Sequence, residues 1–444
     1  MMLETGFAVV RVKPLGAGAG GGEVSGLGKY ASPAVTVGAK GVRVATHMGR
    51  VRDFLYPHHI VSPSDGQAQV YAKFMQPRIN AFLDGISVNV MCYGQTGSGK
   101  THTMFGPPNL MRRAGSGKWG AEVVDEYGIC PRGIIDIMGR IEEMKERDKS
   151  SIRYLLTVSA VEVRFLEGNR DMLRRPGDSQ FYAKENGFRN ISDVIVSKMT
   201  KPPILWGQRE MKLDSIESLL ELFRAIASRS TTGTKMNDSS SRSHCFVYLN
   251  LYAFDRSSNL LRKSRFQFVD LAGSERMKDA HGSKHWKDCG LQAMSGAVCN
   301  YSLMMLSQRL RELSAARRKS KATRVAMSSK TQSDSDTVSL LAESMSGDAN
   351  SLIIVCISSA EQNATQSINT LDFGFEFSKL ALYPRIVKAK PIDLWYKEAS
   401  EMAKTCKTGL AKGASKYALI RHAKGRAGQQ LLTILNTIVE SSKK

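Results

Sequence analysis

The chain has 444 residues, of which 42% are hydrophobic, so it is long enough to bury a sizeable globular core and long for a single domain. The formal net charge of +22 indicates a polyanionic partner and leaves nucleic acid, an acidic membrane surface and an acidic protein surface open. Seven dispersed cysteines without a C-x-x-C pair exclude a disulfide framework. With no secretory leader and no apolar run of about 18 residues, they favour a soluble, intracellular protein.

Strand-like and helix-like segments alternate along the chain, and this alternation predicts an α/β layered fold. β-branched runs that end at turn residues predict strands, and apolar residues at helical spacing predict helices. The predicted strands are FAVVRVKPLG (7–16), ISVNVMCY (86–93), YLLTVSAVEVRFL (154–166), CFVYLNLYAF (245–254), SRFQFVDLAG (264–273) and SLIIVCIS (351–358). The predicted helices are an amphipathic helix after Ser62–Asp65, one over 215–230 starting at Ser215, one around 291–313 and one near 364–382.

Other segments depart from this alternation in composition. They are a glycine-rich loop (16–28), a polar insertion (107–126), an insertion (309–338) that is basic over 309–330 and then rich in serine and aspartate, and a lysine-rich end (384–444). In the last of these, the apolar spacing predicts one short helix around 431–438. No coiled coil is predicted there, because sustained heptads are absent.

A glycine loop lies between a predicted strand and a predicted helix in YGQTGSGKTHTMFG (93–106). It contains G-x-x-x-x-G-K-[ST], the spacing with which backbone N–H groups surround the phosphates of a nucleotide. The strand before it and the helix after it distinguish a phosphate loop from a chance match. We expect Lys100 to reach the β- and γ-phosphates and the Thr101 hydroxyl to ligate Mg²⁺.

Two later segments supply the further groups that hydrolysis or switching needs. In VDLAGSE (269–275), Asp270 ends an apolar strand and can hold magnesium, and Gly273 can bring a backbone N–H close to phosphate. NDSSSRSH (237–244) is a dense run of hydroxyls around Arg242. Either segment alone is most simply a surface loop or a turn. In this order after a phosphate loop, they indicate nucleotide hydrolysis or a nucleotide-dependent switch.

With RVKP (11–14), these motifs stand in the order found in kinesins, and the chain resembles the kinesin superfamily motor domain over roughly residues 5–383. The resemblance implies a three-layer phosphate-loop nucleoside triphosphatase, with a central mixed, mostly parallel β-sheet and helices on both faces. It also implies a motor domain over 1–383 and a basic neck or tail segment over 384–444.

The resemblance implies a role for each matching residue. Those placed at the nucleotide are Arg11, Pro14 and His102 around the adenine, and Gly94, Gln95, Thr96, Gly97, Ser98, Gly99, Lys100 and Thr101 around the phosphates. Those placed at Mg²⁺ are Thr101, Ser241 and Asp270. Those placed in catalysis are Asn237 and Ser240, which organise the attacking water, Gly273, and Arg242 with Glu275, whose salt bridge joins the two switch loops.

The implied activity is ATP hydrolysis with Mg²⁺ by a monomeric motor domain on microtubules, in the cytoplasm and cytoskeleton. The track-binding motifs depart from the family. Residues 299–303 match the family's I-N-x-S-L only in part, and TQSDSDTV (331–338) stands where the family has P-Y-R-D-S-K-L-T. The acidic residues of this segment would repel acidic tubulin. The basic run over 309–330 offers a compensating contact, which salt would screen.

Two other functions stay open: a kinesin-like head that binds nucleotide and tubulin but barely hydrolyses, and an ATPase of the same fold with a partner other than tubulin. The resemblance places Trp119, in the 107–126 insertion, in the family's long loop beside the nucleotide pocket, where it marks either a small-molecule site or, more simply, a surface insertion. A zinc site at His281, His285 and Cys289 is disfavoured because a fourth ligand is missing. Nucleic-acid binding by the basic end is disfavoured because aromatic residues do not interleave with the charges.

Overall fold

A computed structural model of the chain describes residues 4–5, 7–13, 34–38, 41–46, 48–55, 59–62, 64–164, 168–176, 178, 181–185, 188–197, 204–229, 242–274, 290–319, 335–341, 345, 347–406 and 416–440. The strands are β1 (Glu4–Thr5), β2 (Phe7–Lys13), β3 (Val35–Val37), β4 (Gly41–Ala45), β5 (Val51–Leu55), β6 (His59–Val61), β7 (Val88–Tyr93), β8 (Ile152–Val163), β9 (Arg170–Asp171), β10 (Phe181–Glu185), β11 (Phe188–Ser192), β12 (Ile195–Ser197), β13 (Ile204–Trp206), β14 (Met211–Lys212), β15 (His244–Asp255), β16 (Leu260–Asp270), β17 (Asn350–Ser358), β18 (Ala381–Leu382) and β19 (Lys390–Pro391).

The α-helices are α1 (Gln67–Phe74), α2 (Gln76–Leu83), α3 (Lys100–Phe105), α4 (Leu110–Gly115), α5 (Ile129–Asp148), α6 (Ile216–Ala227), α7 (Gly290–Lys319), α8 (Asp336–Leu340), α9 (Ala364–Ser378), α10 (Ile392–Ala403) and α11 (Lys416–Glu440). A short 3₁₀ helix (Glu361–Asn363) precedes α9. No helix in the described part of the chain is long and apolar enough to cross a membrane.

The main sheet has the strand order β14-β8-β15-β16-β7-β17-β2-β6, with β9 and β19 pairing at its margins. Pairing is antiparallel from β14 to β16 and parallel from β16 to β6, so the sheet is mixed. β7 and β16 are parallel neighbours, and the register pairs Asp270 with Cys92. The ends of these two strands therefore lie at the same edge of the sheet, where α/β folds commonly bind ligands.

Helices cover both faces of this sheet. Successive side chains of a strand point to opposite faces, so alternate residues of one strand belong to two different cores. One core contains Leu156, Val158 and Ala160 of β8 and packs against α1–α6. The other contains Val161 and Val163 of the same strand and packs against α7, α8 and α9. The predicted fold class, a three-layer arrangement around a mixed sheet, is confirmed.

The predicted strands all form, and so do the helices that start at Ser215 and near residues 291 and 364. The single amphipathic helix expected after Ser62–Asp65 is instead two helices, which meet at Met75. Pro77 explains the break, because it lies in the first turn of α2, where a missing N–H is tolerated.

The described residues of the two predicted insertions include helices. Within 107–126, Leu110 and Met111 of α4 are buried in the core, which the polar composition of this segment did not indicate. The helix predicted around 291–313 is longer than expected. α7 continues to Lys319 because Leu306, Leu310 and Leu313 keep an apolar face buried.

One arginine of the basic run is not at the surface. Arg309 is only 4% exposed and forms an ion pair with Glu312 at 2.8 Å. In the segment expected to repel the track, the Asp336 carboxylate accepts a hydrogen bond from Asn169 Nδ2 at 3.0 Å. The glycine-rich loop and residues 320–334 lie outside the described residues.

Candidate nucleotide site

The phosphate loop follows β7 and leads directly into α3. Gly94, Gly97 and Gly99 all have positive φ angles, of 154°, 78° and 96°. A Cβ atom on Gly94 would lie 2.1 Å from the carbonyl oxygen of Cys356 on the neighbouring strand β17. The loop therefore depends on glycine both for its backbone conformation and for its close approach to the sheet.

Lys100, the first residue of α3, is buried beneath this loop. Its Nζ donates to the carbonyl oxygen of Gln95 at 2.6 Å, and the Ser98 hydroxyl donates to the same oxygen at 2.8 Å. Lys13, from β2, reaches the opposite side and donates to the Gly97 carbonyl at 3.1 Å. Two ammonium groups thus lie against the loop that is predicted to surround phosphate.

The predicted magnesium ligands Thr101 and Asp270 are in contact. The Thr101 hydroxyl donates to Asp270 Oδ2 at 2.9 Å. Asp270 is 1% exposed, and its Oδ1 has no hydrogen-bond partner among the described residues. A buried carboxylate oxygen without a protein donor, beside a hydroxyl, fits a hard cation that prefers oxygen ligands. The third predicted ligand, Ser241, lies outside the described residues.

Arg229, at the end of α6, is a central residue of this site that sequence analysis missed. It is 2% exposed and forms an ion pair with Asp270 at 2.5 Å. Its Nη2 also donates to the Ser243 carbonyl at 2.6 Å, and the Ser243 hydroxyl donates to buried Glu162 at 2.7 Å. Burial is the largest single influence and would lower the pKa of Arg229, but Asp270, with further contributions from Cys245 and Glu162, raises it overall. The guanidinium therefore stays charged and fixes one oxygen of the carboxylate.

Arg11, predicted to lie against the adenine, is held by the helices beside the loop. Its Nη1 donates to Gln67 Oε1 at 2.8 Å and to Thr103 Oγ1 at 2.9 Å. Gln67, which sequence analysis also missed, donates in turn to the carbonyl oxygen of His102 at 2.6 Å. These contacts place Arg11 and the exposed His102 on the same side of the loop. Pro14, predicted to pack with them, lies outside the described residues.

The two predicted switch motifs are only partly described. Arg242 is half-buried and Gly273 is buried, whereas Asn237, Ser240 and Glu275 lie outside the described residues. Next to Gly273, the Ser274 N–H donates to the carbonyl oxygen of Gly94 at 3.1 Å. This bond joins the DLAGSE motif directly to the phosphate loop.

His244, the last residue of NDSSSRSH, connects this motif to both the DLAGSE segment and helix α7. Its Nδ1 accepts from the Ala272 N–H at 2.9 Å, and its Nε2 lies 3.3 Å from the hydroxyl of Ser302 on α7. The Ser302 hydroxyl donates to the Cys299 carbonyl at 2.7 Å, so it accepts from Nε2. These contacts define a neutral ring with its proton on Nε2.

We expect the buried neutral His244 to make stability fall in mild acid. Burial, reinforced by the charges of Arg229 and Lys100, lowers its pKa from 6.5 to about 3. As pH falls below 6.5, the unfolded chain takes up a proton that the folded chain does not bind until about pH 3. Folding should therefore lose about 2 kcal/mol between pH 6.5 and 5 from this residue alone. Urea unfolding at pH 7.5 and pH 5 measures the loss.

His244→Asn is the matched control, because its side-chain oxygen can still accept from the Ala272 N–H but does not titrate. The stability advantage of the wild type over this variant should shrink by about 2 kcal/mol at pH 5. Histidines common to both proteins cancel in this difference. A difference between the two proteins that does not change with pH would show that His244 is not held neutral.

Two weaker candidate sites received different support. Trp119 is half-buried, with its ring edge-to-face on Tyr127 at 6.2 Å and the cations of Arg113 and Lys118 over it. These contacts make it part of the packing of the 107–126 segment. The disfavoured zinc ligands His281, His285 and Cys289 lie outside the described residues. Among the residues that the structure describes, no three or more His, Cys, Asp or Glu side chains form a group that could hold a metal ion.

The mixed sheet, the glycine loop and the Thr101–Asp270 contact define a phosphate-loop nucleotide-binding protein. Comparison with known proteins identifies the family: the model of the kinesin motor domain matches residues 24–380. The chain belongs to the kinesin motor domain family.

Curated relatives agree with this assignment. The chain is 30% identical to the human kinesin-like protein KIF7 over 75% of its own length. It is 29% identical to kinesin-like protein KIN-4C of Oryza sativa subsp. japonica over 77% of its length. It spans 23% and 25% of the lengths of these two relatives. They are therefore much longer proteins than this chain.

Solved structures show the same fold. One is a KIF14 dimer in a two-heads-bound state with AMP-PNP and a microtubule, with a TM-score of 0.65, 24% identity and coverage of 87% of this chain and 97% of that one. Another, titled as the structure of a fast kinesin, has a TM-score of 0.65, 23% identity and coverage of 87% and 94%. At these identities, the likeness supports the fold.

Proposed function

We propose that the chain is a microtubule-associated motor head that hydrolyses Mg-ATP and couples hydrolysis to movements of its switch segments and its track-binding face. The observation that carries this proposal is the meeting of Lys100, Thr101 and the unpartnered Asp270 oxygen at one edge of the sheet. Asp270 lies 169 positions after Thr101 in the sequence, yet their side chains are in contact. Each of the three groups suits one part of a magnesium-bound triphosphate. Family membership supports the same proposal.

In this proposal, backbone N–H groups of 94–101 and the Lys100 ammonium bind the phosphates, and Arg11 and His102 flank the base. Thr101, Asp270 and Ser241 hold magnesium, which neutralises charge on the phosphates during transfer. Asn237 and Ser240 orient the attacking water.

The Gly273 N–H and the Arg242–Glu275 pair bring the two switch segments together around the γ-phosphate. Loss of that phosphate would separate them, as in other nucleotide-driven switches. His244 offers a direct route from these segments to α7, since it contacts both the Ala272 N–H and Ser302. We infer that the change on hydrolysis is transmitted to α7 through His244. We also infer that the head acts as a monomer on the cytoskeleton.

The test is steady-state ATP hydrolysis at low salt, with and without taxol-stabilised microtubules. We expect the microtubules to stimulate hydrolysis and added salt to weaken the stimulation, because the attraction between the basic head and acidic tubulin is screened. Glu275→Ala should lose the stimulation. Lys100→Ala should weaken nucleotide binding about 10- to 100-fold, the effect of removing one hydrogen bond to a charged group.

Each other outcome would support a different function for the chain or contradict the proposal. Hydrolysis that microtubules do not change would replace tubulin with another partner, a result that the altered 331–338 segment keeps open. Nucleotide binding without turnover would leave a nucleotide-gated adaptor. A chain that binds no nucleotide would contradict the proposal as a whole.

A further inference from the structure

The chain after α9 lies along the head instead of leaving it. We call Lys379–Pro391 the connecting segment. The Tyr383 N–H donates to the Gly347 carbonyl at 2.6 Å, and the Val387 N–H donates to the Gly85 carbonyl at 2.9 Å. At its end, Lys390–Pro391 pairs with Leu260 and Leu261 of β16. The segment thus runs from α9 to the far end of β16.

The connecting segment has little apolar anchoring of its own beyond its first residues. Ile386 is 58% exposed, and Arg385, Lys388 and Lys390 are exposed. Its first part is held by the pairing of Ala381–Leu382 with β1. Beyond that pairing, backbone with few buried apolar contacts opens locally at low cost. Its position must therefore depend on what holds its two ends.

The downstream end is held by α10, which starts immediately after β19. The Ile392 N–H donates to the Asn259 carbonyl at 3.0 Å, and Trp395 Nε1 donates to the Leu261 carbonyl at 3.2 Å. Ile392 and Ala399 are buried against the sheet end. α10 is thus fixed to the same strand as the last residues of the connecting segment.

α11 returns over the same surface and extends this contact. Its residues Ile434, Leu435 and Ile438 are buried against Leu155, Tyr252, Phe254 and Leu261. α11 covers even-numbered residues of β15 and odd-numbered residues of β8. These residues lie on the same face of the sheet that α7–α9 cover further along the strands. Two hydrogen bonds also join α11 to the rest of the head. The Glu210 N–H donates to Gln430 Oε1 at 2.9 Å, and Arg153 Nη1 donates to the Val439 carbonyl at 3.2 Å.

Two glycines allow α10 and α11 to pack closely. A Cβ atom on Gly428 would lie 2.4 Å from the Ala403 backbone nitrogen and 2.7 Å from the Ala399 carbonyl. A Cβ atom on Gly425 would lie 2.3 Å from the Cys406 backbone nitrogen. These close contacts with backbone atoms join α10 and α11, the C-terminal hairpin, into one packed unit.

We propose that the C-terminal hairpin clamps the connecting segment against the head, so that the segment stays in place whichever nucleotide is bound. Detaching the segment would require α10 and α11 to leave the sheet and expose the cluster of Leu261, Ile434 and Leu435 to water. The hairpin lies beyond residue 380, where the kinesin family match ends. The clamp rests on the proposed function in one respect: its test compares the chain bound to two different nucleotides.

Amide hydrogen exchange on the full chain tests the clamp. Peptides covering 379–391 should exchange at the same rate with Mg-ADP and with a non-hydrolysable Mg-ATP analogue. In Gly428→Ala they should exchange about tenfold faster or more, because the added methyl forces the helices apart. The matched control is Gly139→Ala on α5, where a Cβ atom meets no atom within 4 Å. It should leave exchange of 379–391 unchanged.

Three results would overturn the clamp or redirect the test. Exchange of 379–391 that depends on nucleotide in the wild type would show that the segment is released. Unchanged exchange in Gly428→Ala would show that the hairpin does not hold it. If Gly428→Ala also accelerates exchange in β7, Leu435→Ala replaces it as a milder disruption, with the same two criteria.

Failure of the proposed function is recognised separately. If neither nucleotide slows exchange in the 94–101 peptide, the chain does not bind nucleotide under these conditions. The comparison of wild type, Gly428→Ala and Gly139→Ala without nucleotide still decides whether the hairpin holds the segment.

Discussion

Arg229→Met is expected to lower the free energy of unfolding by about 3–5 kcal/mol. The variant keeps most of the side-chain volume but removes the partner of Asp270, which is 1% exposed. Without Arg229, the buried Asp270 carboxylate loses its ion pair, and water cannot reach it to take the place of the guanidinium. Urea unfolding in the absence of nucleotide and magnesium measures the effect.

The double variant Arg229→Met, Asp270→Leu separates loss of the ion pair from loss of packing. Removing both charges should restore part of the stability, because no charge is then left buried and unpaired. A single variant that loses less than about 1 kcal/mol would contradict the prediction, since that is the range of exposed ion pairs. So would a double variant less stable than the single one.

Gly94→Ala is expected to cost about 3–5 kcal/mol, through overpacking and backbone strain together. The new Cβ atom would lie 2.1 Å from the Cys356 carbonyl and 2.8 Å from the Ser98 hydroxyl. The carbonyl belongs to a central strand and cannot withdraw without disturbing the pairing of β17 with β7. The same unfolding experiment measures this loss.

Gly99→Ala provides the control within the same loop. Its φ angle is 96°, but a Cβ atom there meets nothing within 4 Å. This substitution should cost only the strain of a left-handed residue, about 1–2 kcal/mol. Equal losses in the two variants would show that the contact with β17 does not constrain the loop.

The strands and the phosphate loop could be predicted from the sequence because both depend on local patterns. β7 is a short apolar run bounded by turns, and the loop has a fixed glycine spacing. Arg229 and Gln67 could not be predicted, because their roles come from partners distant in the sequence: Asp270 for the first and Arg11 for the second. An arginine at the end of an amphipathic helix carries no local sign of burial.

Two predicted helices, around 291–313 and around 431–438, are longer in the structure, and the sequence held a signal for each. The charge run from 309 suggested a loop, yet Leu306, Leu310 and Leu313 keep helical spacing and bury one face of α7. In the lysine-rich end, Gly425 and Gly428 are the small residues that let two helices cross closely. The sheet residues that cover α11 could not be found from the sequence, because they lie more than 170 positions away, in β8 and β15.

The C-terminal hairpin also has a mechanical consequence. α11 ends beside the first residues of β8, through the Arg153 contact with Val439, and this is the edge of the sheet opposite the phosphate loop. A pull applied at Glu440 would therefore act on β8 and the buried face of α11 before it reached the connecting segment or α9. The load that this head could bear at its C-terminal side would therefore depend on the strength of the contact between α11 and the sheet. It would not depend on the length of the connecting segment after α9.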